Sequence, residues 1–149
     1  MRTTVWSWTR AEVHGCNALA FDRHGQLLLV RHSYQNPQHW MLPGGGLRRR
    51  EDPVTAAARE LFEETGCRLH KAHWFATDVM TIRGGWRNRV ELVAGITDDE
   101  PHAEHRELED ARFFPLDALP SLTGGSVLQR IALWREWRTS PDAPPPAPA

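Results

Sequence analysis

EDPVTAAARELFEETG, residues 51–66, is the stretch on which the fold turns. Asp52 supplies an N-cap oxygen, Pro53 suits the first helical position, and Gly66 suits the left-handed residue that ends a helix. The chemistry therefore predicts a helix that starts at Pro53 and stops at Gly66. Val54, Ala57 and Leu61 form an apolar stripe along it, which must pack against a core. Beside that stripe stand Glu60, Glu63 and Glu64, three carboxylates within five positions and with no lysine or arginine set among them. At about 100° per residue, Glu64 lies about 40° from Glu60 on one side and Glu63 about 60° on the other. All three project from one side of the helix, at the edge of the core, where water is partly excluded.

An ordinary acidic helix face carries Lys or Arg at i+4; here Glu60 meets Glu64. That pairing costs a few tenths of a kcal/mol in an isolated helix and more when half buried. A divalent cation would turn the cost into binding. Oxygen-only ligands suit Mg²⁺ or Mn²⁺, which keep several waters and share positions with phosphate oxygens, and the absence of His and Cys from the cluster argues against zinc.

Working outward, PGGG (43–46) breaks regular structure just upstream of the helix. Before it, Val5 to Phe21 is strand-like, the turn DRHG leads into the apolar run QLLLVRH, and the polar loop SYQNPQ leads to a short strand in HWML. After the helix, HWFATDVMTI and WRNRVELVAGI read as a hairpin around Gly84 and Gly85, and ARFF as a further strand. SVLQRIALWREWR places Val127, Ile131 and Trp134 at helical spacing, with its arginines elsewhere, and reads as scaffold. The tail from Ser140, SPDAPPPAPA, has almost nothing to bury and reads as disordered. Strands interrupted by helices, with one long hairpin, predict an α/β fold: an α/β/α sandwich around a mixed sheet, in one domain over residues 1–139.

Composition bounds the function. The 149 residues suffice for one core, and 18 basic against 19 acidic residues leave no overall field favouring nucleic acid or an anionic membrane. Cys16 and Cys67 form no CxxC pair, no signal-peptide core opens the chain, and no apolar run approaches the roughly 18 residues of a bilayer span. The expectation is a cytoplasmic protein with bystander thiols. The sequence leaves a homodimer open.

Gly45, Glu51, Arg59-Glu60-Leu61, Glu63-Glu64 and Gly66-Cys67 together match the Nudix box, G-x5-E-x7-R-E-U-x-E-E-x-G-U with U a bulky apolar residue. The chain thus resembles the Nudix hydrolase family over roughly residues 12 to 120, with Cys67 departing from the usual Ile, Leu or Val. The resemblance implies a Nudix-like sandwich and Mg²⁺- or Mn²⁺-dependent hydrolysis of a nucleoside diphosphate linked to another moiety, a water attacking phosphorus. Glu60, Glu63 and Glu64 resemble the metal-binding trio, with the Gly44 carbonyl adding an oxygen. Arg59 and Glu51 resemble the pair that locks loop to helix, and Gly45 allows close backbone approach. The family's general base comes from the box or from a later loop, where Glu107 in RELEDARFF best resembles it, ahead of Glu104 and Glu109.

Substrate recognition is less determined. Arg48, Arg49 and Arg50 stand where relatives often carry an acidic residue and a glycine; Arg48 and Arg49 are candidates to hold phosphates. Tyr34, Trp40 and Trp86 are candidates to stack a nucleobase. There is neither the SQPWPFPxS signature of NADH pyrophosphatases nor a proline about 15 residues past the box, where Ile82 stands. Two other readings stay open: an RNA 5′-pyrophosphohydrolase, against which the near-zero charge weighs, and a catalytically silent sensor that binds a nucleotide to regulate a partner.

Overall fold

The computed structural model describes residues 13–33, 38–82, 86–103 and 108–140, with only the backbone at 82 and 86. Seven strands, β1 (Val13–Phe21), β2 (Leu27–His32), β3 (Trp40–Met41), β4 (Gly44–Gly46), β5 (His70–Ile82), β6 (Trp86–Ile96) and β7 (Leu108–Phe114), form one mixed sheet. Helices α1 (Pro53–Thr65) and α2 (Gly125–Arg138) complete the fold. The main order is β3-β2-β1-β6-β5, with β4 paired to β1 and β7 to β2.

Strand β1 is the spine. It runs parallel to β6 from Val13↔Asn88 to Phe21↔Ile96, while its other edge is divided between β4, antiparallel at Gly15↔Gly46, Cys16↔Gly45 and Asn17↔Gly44, and β2 at Phe21↔Leu27. Successive side chains on a strand point to opposite faces. Cys16, Ala18 and Ala20 therefore meet Ala56, Ala57 and Leu61 of α1, whereas Leu19 and Phe21 meet Val127, Ile131 and Trp134 of α2. The sandwich expected from the sequence is present, with one helix packed on each face.

Asp52 caps α1, accepting from the Thr55 N–H at 2.8 Å, and Gly66 closes it at φ 77° with its N–H on the Phe62 carbonyl. The hairpin strands β5 and β6 pair from His70↔Ile96 to Ile82↔Trp86, with bulges near His73 and Ala76. Part of the expected first strand, the turn at Gly84 and Gly85, and the tail beyond Ser140 lie outside the described residues. No described helix is long and apolar enough to cross a membrane.

Two expectations need correction. PGGG does not simply break the chain, because Gly44–Gly46 is a strand of its own. The glycines make that pairing possible, since a Cβ on Gly44 would sit 2.0 Å from the Cys16 carbonyl oxygen. Nor are the arginines of α2 all kept from the core: Arg130 lies three residues after Val127 and four before Trp134, on the same face, and is 5% exposed. Its Nε donates to Asp78 Oδ2 at 2.9 Å, so the buried charge is paired.

Candidate active site

The second half of α1, from Arg59 to Glu64, faces the Gly44–Gly46 strand and the loop after it, and Arg59 joins the two. Its Nε and Nη2 donate to the two carboxylate oxygens of Glu51 at 2.8 and 2.9 Å, and Nη2 also donates to the Gly46 carbonyl at 3.0 Å. The Glu51 Oε1 atom accepts the Arg48 N–H at 2.9 Å as well. A guanidinium forked on a carboxylate gives both strength and fixed orientation. The Arg59 bonds hold the Glu51 carboxyl down at about 2, against an ordinary 4.5. The same bonds raise the Arg59 pKa, so this arginine stays charged throughout.

Arg59 also reaches the glutamates. Nη1 donates to Glu60 Oε2 at 2.8 Å and to Glu63 Oε1 at 3.2 Å. The repulsion that the sequence suggested is therefore partly relieved by the arginine immediately preceding the cluster, which reaches along the helix to Glu63 at i+4. Glu60 and Glu64 are mostly covered, 18% and 14% exposed, while Glu63 is half exposed and lies 3.7 Å from Arg48 Nη2. Glu64 Oε1 accepts the Gly44 N–H at 2.8 Å. Gly45 lies flush against Glu60, for a Cβ there would sit 2.4 Å from its carboxyl carbon.

Among the described residues no three His, Cys, Asp or Glu side chains converge on one point as a ready-made cation site. Glu60 and Glu63 turn toward Arg59, and Glu64 turns toward the loop. The donor chemistry nonetheless fits Mg²⁺ or Mn²⁺, which take one or two carboxylates, waters and substrate oxygens rather than a complete protein cage.

Of the other expected site residues, Arg48 alone among the described ones is recorded against the glutamates, at Glu63. Arg48 and Arg49 are exposed on the loop. Trp40 is 8% exposed in the core under α2, its ring 4.9 Å from that of Phe114 and covered by the Arg31 guanidinium at 5.1 Å. That burial leaves little of its face for a base. Tyr34 and Glu107 lie outside the described residues, and of Trp86 only the backbone is described. Both thiols are buried, and burial pushes the Cys16 pKa up to about 11, which makes it a poor nucleophile.

Sequence reasoning missed two neighbours. His32, the last residue of β2, places Nε2 3.5 Å from Glu64 Oε2, and its strand partner is Leu108, the residue after Glu107. Glu91, 3% exposed on β6, accepts from His14, Trp74, Thr77 and Arg89. Burial pushes its carboxyl upward, but bonds from Thr77, His14 and Arg89 more than offset this and hold it below the usual range. The alternation Val90-Glu91-Leu92 sets Glu91 with the polar positions of β6, and of its donors only Arg89 is local.

Residues 14–134 match the family model of the NUDIX domain. The chain belongs to the NUDIX family. It is 40% identical over 93 residues to human diphosphoinositol polyphosphate phosphohydrolase 3-beta, covering 52% of this chain and 56% of that protein. It is 31% identical over 104 residues to the RNA pyrophosphohydrolase of Bartonella quintana, covering 56% and 60%. The chain thus spans just over half the length of the curated relatives it matches. The crystal structure of the MutT NUDIX hydrolase from Burkholderia pseudomallei superposes with a TM-score of 0.70 at 28% identity, over 87% of this chain and 99% of that one. In this NUDIX chain the loop and helix joined by Arg59 are the two ends of the box, residues 45–67.

The Glu51–Arg59 fork carries a pH dependence. The Glu51 carboxyl is lower in the folded chain than in the unfolded one. Its contribution is therefore complete above pH 4.5 and is lost as pH falls toward about 2. Glu51→Gln is expected to cost about 2 kcal/mol at neutral pH, and the stability gap between parent and variant should close across that acid window in pH-dependent denaturant unfolding. A gap that stays constant down to pH 2 would mean that Glu51 does not owe its role to charge.

Proposed function

We propose that the chain is a Mg²⁺- or Mn²⁺-dependent pyrophosphohydrolase that cleaves a nucleoside diphosphate linked to another moiety. The observation that carries this reading is the placing of Glu60 and Glu64, half-buried, against the Gly44–Gly46 backbone by Arg59 and the Gly44 N–H. Glu60, Glu63, Glu64 and the Gly44 carbonyl would hold the ion, which when bound neutralises charge on the bridging and departing phosphate oxygens.

The chain's own residues do the rest. Arg59 holds Glu60 and Glu63 in place and the Gly44 N–H holds Glu64, so that reacting groups meet with little reorganisation. A water attacks phosphorus, the bridging P–O bond breaks, and the water's proton passes to a carboxylate. Glu64 and Glu107 are the two candidates for that base. Arg48, beside Glu63, and Arg49, exposed next to it in the chain, would hold the outlying phosphates, and Tyr34 and Trp86 stay the candidates to stack a nucleobase. An RNA 5′-triphosphate is the second reading, favoured by the name of the Bartonella quintana relative. A diphosphate on a heavily phosphorylated ring, as the human relative's name describes, suits the three adjacent arginines 48–50.

The test is a screen of the purified protein with each metal against dNTPs, ADP-ribose, nucleotide sugars, dinucleoside polyphosphates, diphosphoinositol phosphates and triphosphorylated RNA, with Glu107→Gln assayed alongside. At least one substrate should turn over, and slower turnover of Glu107→Gln with unchanged metal affinity would assign the base. No turnover across the panel, together with tight binding of one nucleotide, would replace the hydrolase by a nucleotide sensor.

A further inference from the structure

The hydrolytic reading makes no use of the buried charge on Arg130. Arg130 rises from α2, on the face of the sheet opposite α1, and forks between two strands: Nε donates to Asp78 on β5 at 2.9 Å, and Nη1 donates to Asn17 on β1 at 2.6 Å. Asp78 is 6% exposed and Arg130 5%. A buried ion pair is a costly way to fill a core, since apolar side chains of similar volume are often as stabilising or more so. Its geometry therefore calls for an explanation beyond packing.

What the pair fixes is the Asn17 amide. With Oδ1 engaged by Arg130, Nδ2 must point the other way, where it donates to the Cys16 carbonyl at 3.1 Å and reaches the Pro43 carbonyl at 3.5 Å. The amide lies flush on Gly44, because a Cβ at that position would come 2.5 Å from Nδ2. Gly44 pairs with Asn17 in the sheet, and its own N–H is the one that Glu64 Oε1 accepts at 2.8 Å. Arg59 holds the same loop from the α1 side through the Gly46 carbonyl at 3.0 Å. The loop is thus gripped from both faces of the sheet, by one arginine on each.

We propose that Arg130 is a positioning residue of the glutamate site: tethered by Asp78, it orients the Asn17 amide and through it the Pro43–Gly44 peptide on which Glu64 is aligned. Its activity readout rests on the hydrolase reading, but its structural readout does not. Three measurements separate the two. Asn17→Ala should lower the melting temperature, because the buried Arg130 loses its acceptor at 2.6 Å, and, assayed well below that temperature, kcat should fall about tenfold or more while KM changes little and Mn²⁺ affinity weakens severalfold. The apolar pair Asp78→Leu with Arg130→Met should recover stability and still show the loss in kcat. In both, the Gly44 amide should shift in the ¹⁵N spectrum and exchange faster with solvent.

Parent-like kcat and an unmoved Gly44 amide in Asn17→Ala would overturn the proposal and leave the triad as packing alone. Should the double variant fail to fold, Asn17→Ala decides. If the parent hydrolyses nothing, the hydrolase reading fails, and the Gly44 amide together with Mn²⁺ titration followed by electron paramagnetic resonance still tests the positioning.

Discussion

Glu64→Gln is expected to lower turnover by at least about a hundredfold while leaving the metal-free protein as stable as the parent or slightly more so. The two halves of that result have separate causes. Glutamine keeps a carbonyl oxygen where Glu64 Oε1 now accepts the Gly44 N–H, so the contact between helix and loop survives. The substitution also removes the i, i+4 repulsion with Glu60, worth a few tenths of a kcal/mol. What disappears is the negative charge that would attract a cation or accept a proton, and with it the charge facing His32 Nε2 at 3.5 Å. A ligand that binds only the folded state at a hundred times its Kd stabilises by about 2.7 kcal/mol, which for a chain of this size raises Tm by roughly 8 °C. The parent should show such a rise when Mg²⁺ or Mn²⁺ replaces chelator at matched ionic strength, and the variant much less. Equal shifts in thermal unfolding would remove Glu64 as a principal ligand, and no shift in either would leave the glutamates as an acidic helix face.

How much of this arrangement was legible depended on how local its causes are. Helix α1 announced both ends, because Asp52, Pro53 and Gly66 act within a few residues of themselves. The hairpin strands β5 and β6 likewise carry their pattern in their own residues. The box spacing brought Glu51, Arg59 and the glutamates into one reading, and with it the family. The parts that stayed hidden depend on partners far along the chain. Gly44–Gly46 has no side chain to show alternation, so its pairing with β1 follows only from how closely β1 approaches. Arg130 looked like a solvated arginine because its partners Asp78 and Asn17 stand 52 and 113 residues away. A charged residue set between Val127, Ile131 and Trp134 on one helical face was the available signal. Glu91 is the same case on β6, since Val90 and Leu92 beside it set it with the polar positions, while its donors His14, Trp74 and Thr77 stand on β1 and β5.

The three loop glycines allow a second experiment whose outcome should be graded by position. A Cβ on Gly46 would meet nothing within 4 Å, so Gly46→Ala should be near neutral and serves as the control. On Gly45 it would strike the end of the Glu60 side chain, 2.4 Å from Cδ and 2.5 Å from Oε1. A side-chain end can swing away, so Gly45→Ala should fold with a modest loss, but Glu60 leaves its place and turnover should fall with it. On Gly44 the contacts are with main chain, 2.0 Å from the Cys16 oxygen and 3.0 Å from the Asn17 Cα, as well as 2.5 Å from the Asn17 amide nitrogen. Main chain in the middle of a sheet cannot yield that much without separating β4 from β1. Gly44→Ala should therefore cost about 3 kcal/mol or more and lower Tm by roughly 10 °C. It should also abolish activity, since the N–H that Glu64 accepts moves with the strand. Melting curves and turnover for the three alanine variants decide the matter. If Gly44→Ala melts with Gly46→Ala, β4 is not pinned to β1 as closely as the Asn17↔Gly44 register requires, and the alignment of Glu64 must come from the helix alone.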